Sequence, residues 1–260
     1  MDILEKIVAK RLERIAAAKA LMPEARLERT ATAPCKMFSI DMPFVLISEC
    51  KKASPSKGIL LEDYRPLEIA FQYERGGATA ISCLTEPDFF MGDEAHLRTV
   101  RAGVNIPVLR KDFIVDPYQI KEAWAMGADA ILLIASILSK KQIKDFADIA
   151  HGFGLQSLLE IHGEDELDKT ELAPVDAVGV NARNLRDFST DLDAAAKLCE
   201  KLPDNVVRIA ESGIDSPSSA RSMFDAGYRG FLIGEHFMKS ADRVSAVAGI
   251  ANELRAASGI

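Results

Sequence analysis

Short apolar runs recur along this chain, and many of them end in polar residues able to do chemistry. The runs predict strands at Phe44–Glu49, Ala78–Leu84, Val108–Lys111, Ala130–Ile134, Ser157–Ile161, Ala177–Val180, Val206–Ala210 and Gly230–Ile233. Clean apolar–polar alternation is missing, which marks strands buried on both faces of a parallel sheet. Helically spaced segments lie between them, among them Pro66–Arg75, Pro117–Met126, Lys140–His151, Leu192–Leu202 and Pro217–Ala226. Several open on proline, which suits the first helical turn. Several close on glycine, at Gly76-Gly77, Gly127, Gly152 and Gly227, the favoured residue just past a helix end. The junctions Gly77-Ala78-Thr79-Ala80-Ile81, Gly127-Ala128-Asp129-Ala130-Ile131 and Gly227-Tyr228-Arg229-Gly230-Phe231 repeat the step from helix to strand. Strands alternating with helices predict an α/β fold with a parallel sheet. An open doubly wound sheet would look similar, but no GxGxxG fingerprint is present. Eight regular units favour closure into a (β/α)8 TIM barrel.

An extra helix precedes the first strand. Ile3, Leu4, Ile7, Val8, Leu12, Ile15 and Ala16 recur at helical spacing up to Leu21, with Pro23 just beyond. It could cap the barrel floor or cover the mouth. The 260 residues are close to the roughly 250 of one such barrel, so residues 1–260 read as one domain, with 1–43 as an N-terminal helical extension.

Composition narrows the function classes. The net charge of −7 argues against a nucleic-acid or anionic-membrane surface, though local lysines could still hold a small anionic substrate. No apolar run reaches the roughly 18 residues of a membrane span. The charged start, with Asp2, Glu5 and Lys6, is unlike a signal peptide. Cys35, Cys50, Cys83 and Cys199 form no CxxC pair, and the histidines show no metal spacing. Free thiols suit a reducing compartment, so a cytoplasmic enzyme without metal is expected. Cys50 and Cys83 read as core residues.

In a barrel the C-terminal strand ends converge on one mouth, so residues far apart in sequence become neighbours. The residues at these ends are Glu49 and Lys51, Lys111, Glu160, Asn181 and Arg183, then Glu211 and Ser212. Carboxylates and lysines in one cavity permit acid–base chemistry without a cofactor. Nearby carboxylates hold a lysine charged, which suits an acid rather than a Schiff-base nucleophile. Each residue alone could be a structural ion pair; the set together points to a site. Gly213 and Gly234 follow the seventh and eighth predicted strands, where barrels often bind phosphate. Glu235 is an awkward neighbour for phosphate, and its backbone N–H is expected to face the ligand. Phe89-Phe90 and Phe113 could flank an aromatic substrate or simply pack. His162 follows Glu160 by two and could point the same way, but reads rather as a loop or packing residue. His151 and His236 read as structural, and Trp124 as helix–barrel packing.

The motifs resemble the indole-3-glycerol-phosphate synthase family of tryptophan biosynthesis. The resemblance rests on Glu49-Cys50-Lys51-Lys52-Ala53-Ser54-Pro55-Ser56-Lys57-Gly58, Leu84-Thr85 with Phe89-Phe90-Met91-Gly92, and Lys111-Asp112-Phe113-Ile114-Val115. It continues through Leu159-Glu160-Ile161-His162, Asn181-Ala182-Arg183-Asn184-Leu185, Ala210-Glu211-Ser212-Gly213-Ile214 and Leu232-Ile233-Gly234-Glu235. Such enzymes convert 1-(2-carboxyphenylamino)-1-deoxyribulose 5-phosphate into indole-3-glycerol phosphate, releasing carbon dioxide and water. The resemblance implies Lys111 as the general acid of ring closure and Glu160 as acid/base in dehydration. It implies that Glu49 orients and balances the lysines, and that Lys51 binds or helps protonate the substrate. Asn181, Glu211 and Ser212 would hold its hydroxyls, with Ser54 and Arg183 on the anthranilate side beside Phe113. Gly213, Gly234 and Glu235 would form the phosphate cup. It further implies no cofactor and a monomer or weak homodimer, and leaves association with other tryptophan-pathway enzymes open. Cys50, Glu86-Pro87-Asp88 and His236-Phe237 depart from the family pattern. A phosphate-binding barrel of the phosphoribosylanthranilate isomerase kind, or a barrel kept only for binding, are the rival readings.

Overall fold

The computed structural model describes residues 2–29, 31–171, 173–184 and 189–260. Eight parallel strands close into a barrel. They are β1 Val45–Cys50, β2 Ala80–Leu84, β3 Val108–Lys111, β4 Ala130–Ile134, β5 Gln156–Ile161, β6 Ala177–Asn181, β7 Val207–Glu211 and β8 Gly230–Ile233. Three match the sequence expectation residue for residue, and the others shift by one or two. The shifts at β6 and β7 matter, because they carry Asn181 and Glu211 into the ladder, paired with each other. Leu192–Leu202, expected as one helix, ends at Cys199. Two helices not singled out in the sequence complete the outer layer: Glu94–Gly103, and the closing helix Arg243–Ser258, which packs on Pro66–Gly76 and Pro217–Asp225.

Strand alternation stacks the interior in layers. Ile47, Leu109, Leu158 and Ile209, from the four odd-numbered strands, form a fully buried apolar layer. Two residues further along the same strands stand Glu49, Lys111, Glu160 and Glu211. A period of two returns each side chain to the same face, so these four form the next odd-strand layer towards the C-terminal mouth. The usual branched apolar filling is replaced there by three carboxylates and one lysine. Cys50 and Cys83 are fully buried among apolar residues.

The N-terminal helix Ile3–Leu21 covers the mouth rather than the floor. Asp2 and Glu5 form a capping box at its start, with N–H···O distances of 2.8 and 2.9 Å. Its buried stripe is Ile7, Arg11 and Ile15. Three ion pairs tie it to the loops that follow β2 and β3: Arg11 to Asp112 at 3.0 Å, Lys19 to Asp116 at 2.7 Å, and Arg14 to Asp88. All three aspartates lie beyond C-terminal strand ends, which fixes the side of the barrel that the helix occupies. Among the described residues, no helix is long and apolar enough to cross a membrane.

Candidate active site

Lys111 is the centre of the charged layer. Its Nζ lies 3.1 Å from Glu211 Oε2, 3.4 Å from Glu49 Oε1 and 3.9 Å from Glu160 Oε2. Those carboxylates come from β7, β1 and β5, so one ammonium on β3 gathers the other three odd strands. Glu49 also accepts from Lys51 Nζ. Burial alone would lower the lysine, but Glu211, Glu49 and Glu160 outweigh it and hold Lys111 raised, hence fully charged. Burial pushes the Glu49 carboxyl up, but the two ammonium groups prevail and bring it down to about 2. Glu211 goes the other way: burial and the neighbouring Glu160 carboxylate outweigh Lys111 and push it up to about 7. This layer therefore holds a permanent anion, a permanent cation and a carboxyl that titrates near neutrality.

The layer opens on a cavity of about 980 Å³ at the barrel mouth. Glu49, Lys51, Lys111, Glu160, Asn181 and Ser212 all line it. Glu211 does not appear on the wall, although it was expected to meet the substrate; its carboxylate is sealed behind, against Lys111. One side of the cavity is apolar. Phe90 and Phe113 stand with ring centroids 5.9 Å apart, and Leu132, Ile134 and Ile7 continue that wall. Phe89 is not on the wall; it packs in the apolar cluster beneath the N-terminal helix. Ser54 reaches the cavity from a short hairpin, Ala53–Ser54 against Gly58–Ile59.

The opposite side is built from the ends of β7 and β8, across the barrel from β3 and β4 by strand order. Ser212 and Gly213 both adopt left-handed backbone, with φ of 66° and 78°. This is an uncommon state for serine, of the kind that clusters at functional sites. A Cβ on Gly213 would stand 2.5 Å from Thr190 Cγ2. Gly234 caps the short helix Glu235–Lys239, whose first N–H groups have no intrahelical acceptor. The Glu235 carboxylate accepts from Arg183 at 2.9 Å and Lys239 at 2.7 Å, with Lys57 at 3.8 Å. Arg183, expected on the anthranilate side, is thereby drawn to the β8 side. Burial raises Glu235, but the bonds from Lys239 and Arg183 outweigh it and keep it low.

Two glycines have a role that the sequence did not disclose. A Cβ on Gly179 would collide with Glu211 Oε1, and one on Gly234 with Glu49 Oε2. Each missing side chain makes room for a carboxylate of the charged layer. For His162 the less favoured of the two expectations holds: it turns towards Glu160. Its ring does not simply pack, since Nε2 lies 3.3 Å from Glu160 Oε1. His236 lines the cavity, whereas His151 pairs with Asp176 at 2.9 Å, away from it. Trp124 stacks on Phe153 at 5.3 Å. Leu185 of the motif Asn181-Ala182-Arg183-Asn184-Leu185 lies outside the described residues. Among the described residues, no group of three or more His, Cys, Asp or Glu side chains is disposed to hold a metal ion.

Comparisons with known proteins assign the family. The family model described as indole-3-glycerol phosphate synthase matches residues 4–250. The chain belongs to the indole-3-glycerol phosphate synthase family. A relative of that name from Campylobacter jejuni is 42% identical over 253 residues, covering 94% of this chain and 98% of the relative. Another, from Carboxydothermus hydrogenoformans, is 42% identical over 255 residues, covering 92% and 96%. The fold also matches 3-hexulose-6-phosphate synthase from Salmonella typhimurium, with a TM-score of 0.67 at 12% identity over 82% of this chain and 99% of that one. That likeness shows the barrel alone. Membership in the synthase family makes the chain a carbon–carbon lyase of tryptophan biosynthesis, and sets aside the isomerase and binding-only readings.

Proposed function

We propose that this cavity closes an indole ring, with Lys111 as the acid, on 1-(2-carboxyphenylamino)-1-deoxyribulose 5-phosphate. The observation that carries the assignment is the Lys111 ammonium, held charged by three carboxylates and facing a cavity with an aromatic wall. The anthranilate ring rests against Phe90 and Phe113. The phosphate rests across the barrel on the backbone of Gly213, Gly234 and Glu235, with Arg183, Lys57 and Lys51 supplying positive charge. The ribulose carbonyl then falls between them, at Lys111.

In the first step the ring carbon bearing the carboxylate attacks the carbonyl carbon. The carbonyl π pair moves to oxygen, which takes a proton from Lys111 Nζ. The attacking ring carbon, which still bears the carboxylate, is now tetrahedral. Loss of carbon dioxide returns its bonding pair to the ring and restores aromaticity. In the last step the new hydroxyl leaves as water, which takes a proton, while the neighbouring methylene carbon loses one. Glu160 acts as acid/base in that dehydration. Glu49 balances and aims the two lysines, and Glu211 holds Lys111 from behind. Asn181 and Ser212 hold the ribulose hydroxyls. No step oxidises or reduces the substrate. The same reading extends to a cytoplasmic enzyme, active as a monomer or weak homodimer.

The test is direct. Purified protein is mixed with the substrate and indole fluorescence is followed. A rise that Lys111→Ala removes is the expected result. No rise from folded wild-type protein would reject the reading.

A further inference from the structure

The proposed reaction carries a proton deficit. The substrate enters as a carboxylate, while carbon dioxide and neutral water leave. One proton from solvent is therefore consumed in each turnover. The layer that must receive it is closed in: Glu49 and Glu160 are 3% exposed and Glu211 is 1% exposed. A proton needs a route to this layer that remains available while substrate fills the cavity.

His162 stands where such a route would run. It follows β5, and its ring turns back towards Glu160. Nε2 is 3.3 Å from Glu160 Oε1, and Nδ1 is 3.6 Å from Glu166 Oε2. Both nitrogens are buried, and neither makes an aligned hydrogen bond. The ring thus sits between two carboxylates without being locked to either. Glu166 is anchored in place because its Oε2 accepts the His162 backbone N–H at 2.8 Å. His162 and Glu166, with Asp165, line a second cavity at the mouth, outside the wall that holds Lys111.

We propose that His162 is a proton relay that recharges Glu160 from the Glu166 side. The imidazolium gives its Nε2 proton to the Glu160 carboxylate. Nδ1 keeps its proton, so the vacated Nε2 is the site that must be reloaded. The ring, locked to neither carboxylate, turns about Cβ–Cγ to take at Nε2 a proton that the Glu166 carboxyl has drawn from solvent, and then turns back. No bond to substrate forms, and one relayed proton per turnover balances the reaction. This role rests on the ring-closing function proposed above. His162 acts through Glu160 and touches no reacting atom itself.

The surroundings favour a loaded relay. The charged groups facing the ring are Glu160 on its own strand, Glu166 on the following turn and Glu211 on β7, with Lys111 beyond Glu160. Burial alone would lower the imidazole, but the carboxylates prevail and raise it. That direction favours the imidazolium, the form that carries the proton to be relayed.

A relay and a structural residue differ in time. Protons already stored in the layer serve the first turnover, and the relay is needed from the second. His162→Gln in the full chain is rapidly mixed with substrate and followed by indole fluorescence. The relay requires a first turnover close to that of wild type, then a steady rate lower by about tenfold or more. Raising the imidazole buffer concentration at constant pH should restore that steady rate. An unchanged steady rate overturns the relay, as does a first turnover slowed equally and insensitive to buffer. If His162→Gln fails to fold, Glu166→Gln decides by the same two measurements. Wild-type protein that makes no indole product sinks the ring-closing reading and the relay with it. Wild-type turnover with no separation of phases in the variant sinks the relay alone.

Discussion

Arg110 and Lys111 are adjacent on β3, both buried cations surrounded by carboxylates, yet they stand in opposite worlds. Alternation sends Arg110 outward, between the sheet and the helix Pro117–Met126. There its guanidinium is fully enclosed. It donates to Gln119 O at 2.8 Å, Glu122 at 2.7 Å, Asp112 at 3.1 Å and Thr85 at 3.2 Å. Arg11 and Thr85 add further bonds to Asp112, so that carboxylate is also occupied. Lys111 points inward instead, and part of its ammonium faces the cavity. Burial and charge are common to both residues. What separates a structural cation from a reactive one is the unfilled side that can meet a substrate.

Removing each cation should break the molecule in a different way. Lys111→Ala is expected to lower turnover by about a thousandfold or more, since the acid is lost. Its fold should persist, because Lys51 still balances Glu49 while Glu211, already pushed up to about 7, can take up a proton. Arg110→Ala is expected to cost about 3–5 kcal/mol of stability, the usual result of leaving buried carboxylates without their partner. Urea unfolding and steady-state kinetics on both variants measure the contrast. An Arg110→Ala protein as stable as wild type would erase it.

The charged layer also predicts a pH signature of its own. Glu211 is pushed from 4.5 up to about 7 in the folded chain. Between those values the folded state holds a proton that the unfolded state has released. The contribution of Glu211 therefore favours folding at low pH and is lost as pH rises through about 7. Glu49, held at about 2 rather than 4.5, works in the opposite sense: its stabilisation is present above 4.5 and disappears as pH falls towards 2. Urea midpoints of wild type and Glu211→Gln across pH 4.5 to 7 separate the two. The wild type should lose stability relative to the variant as pH rises. Parallel curves would remove Glu211 from this account.

The barrel was legible because it repeats: apolar runs, proline-led helices and glycine ends recur at each unit. The strand-end charges were legible because a polar residue closing an apolar run is costly without a purpose. What remained hidden depends on register. Nothing local shows that Glu49, Lys111, Glu160 and Glu211 share one layer, or that Gly179 and Gly234 are small so that two carboxylates can fit. Arg110 and Lys111 look alike in sequence, and only the face of the strand distinguishes them. The ion pairs of His162 and Arg183 were not legible, because their side chains turn to partners set by the fold, Glu160 and Glu235.

The smallest expected effect lies at the rim of the reactive side. Ser54 sits on the hairpin after β1 and lines the cavity, outside the layer of charges. A neutral hydroxyl there can offer one hydrogen bond to bound substrate, and such a bond is typically worth about 1 kcal/mol. It carries no charge and stands on the hairpin rather than in the charged layer, so it should bind substrate and transition state about equally. Loss of such uniform binding raises KM and leaves kcat alone. Ser54→Ala is thus expected to raise KM about fivefold with kcat within about twofold of wild type. A fall in kcat with KM unchanged would move Ser54 into the group that acts on the reacting atoms. The unsaturated face that marks Lys111 would then extend along the hairpin as well.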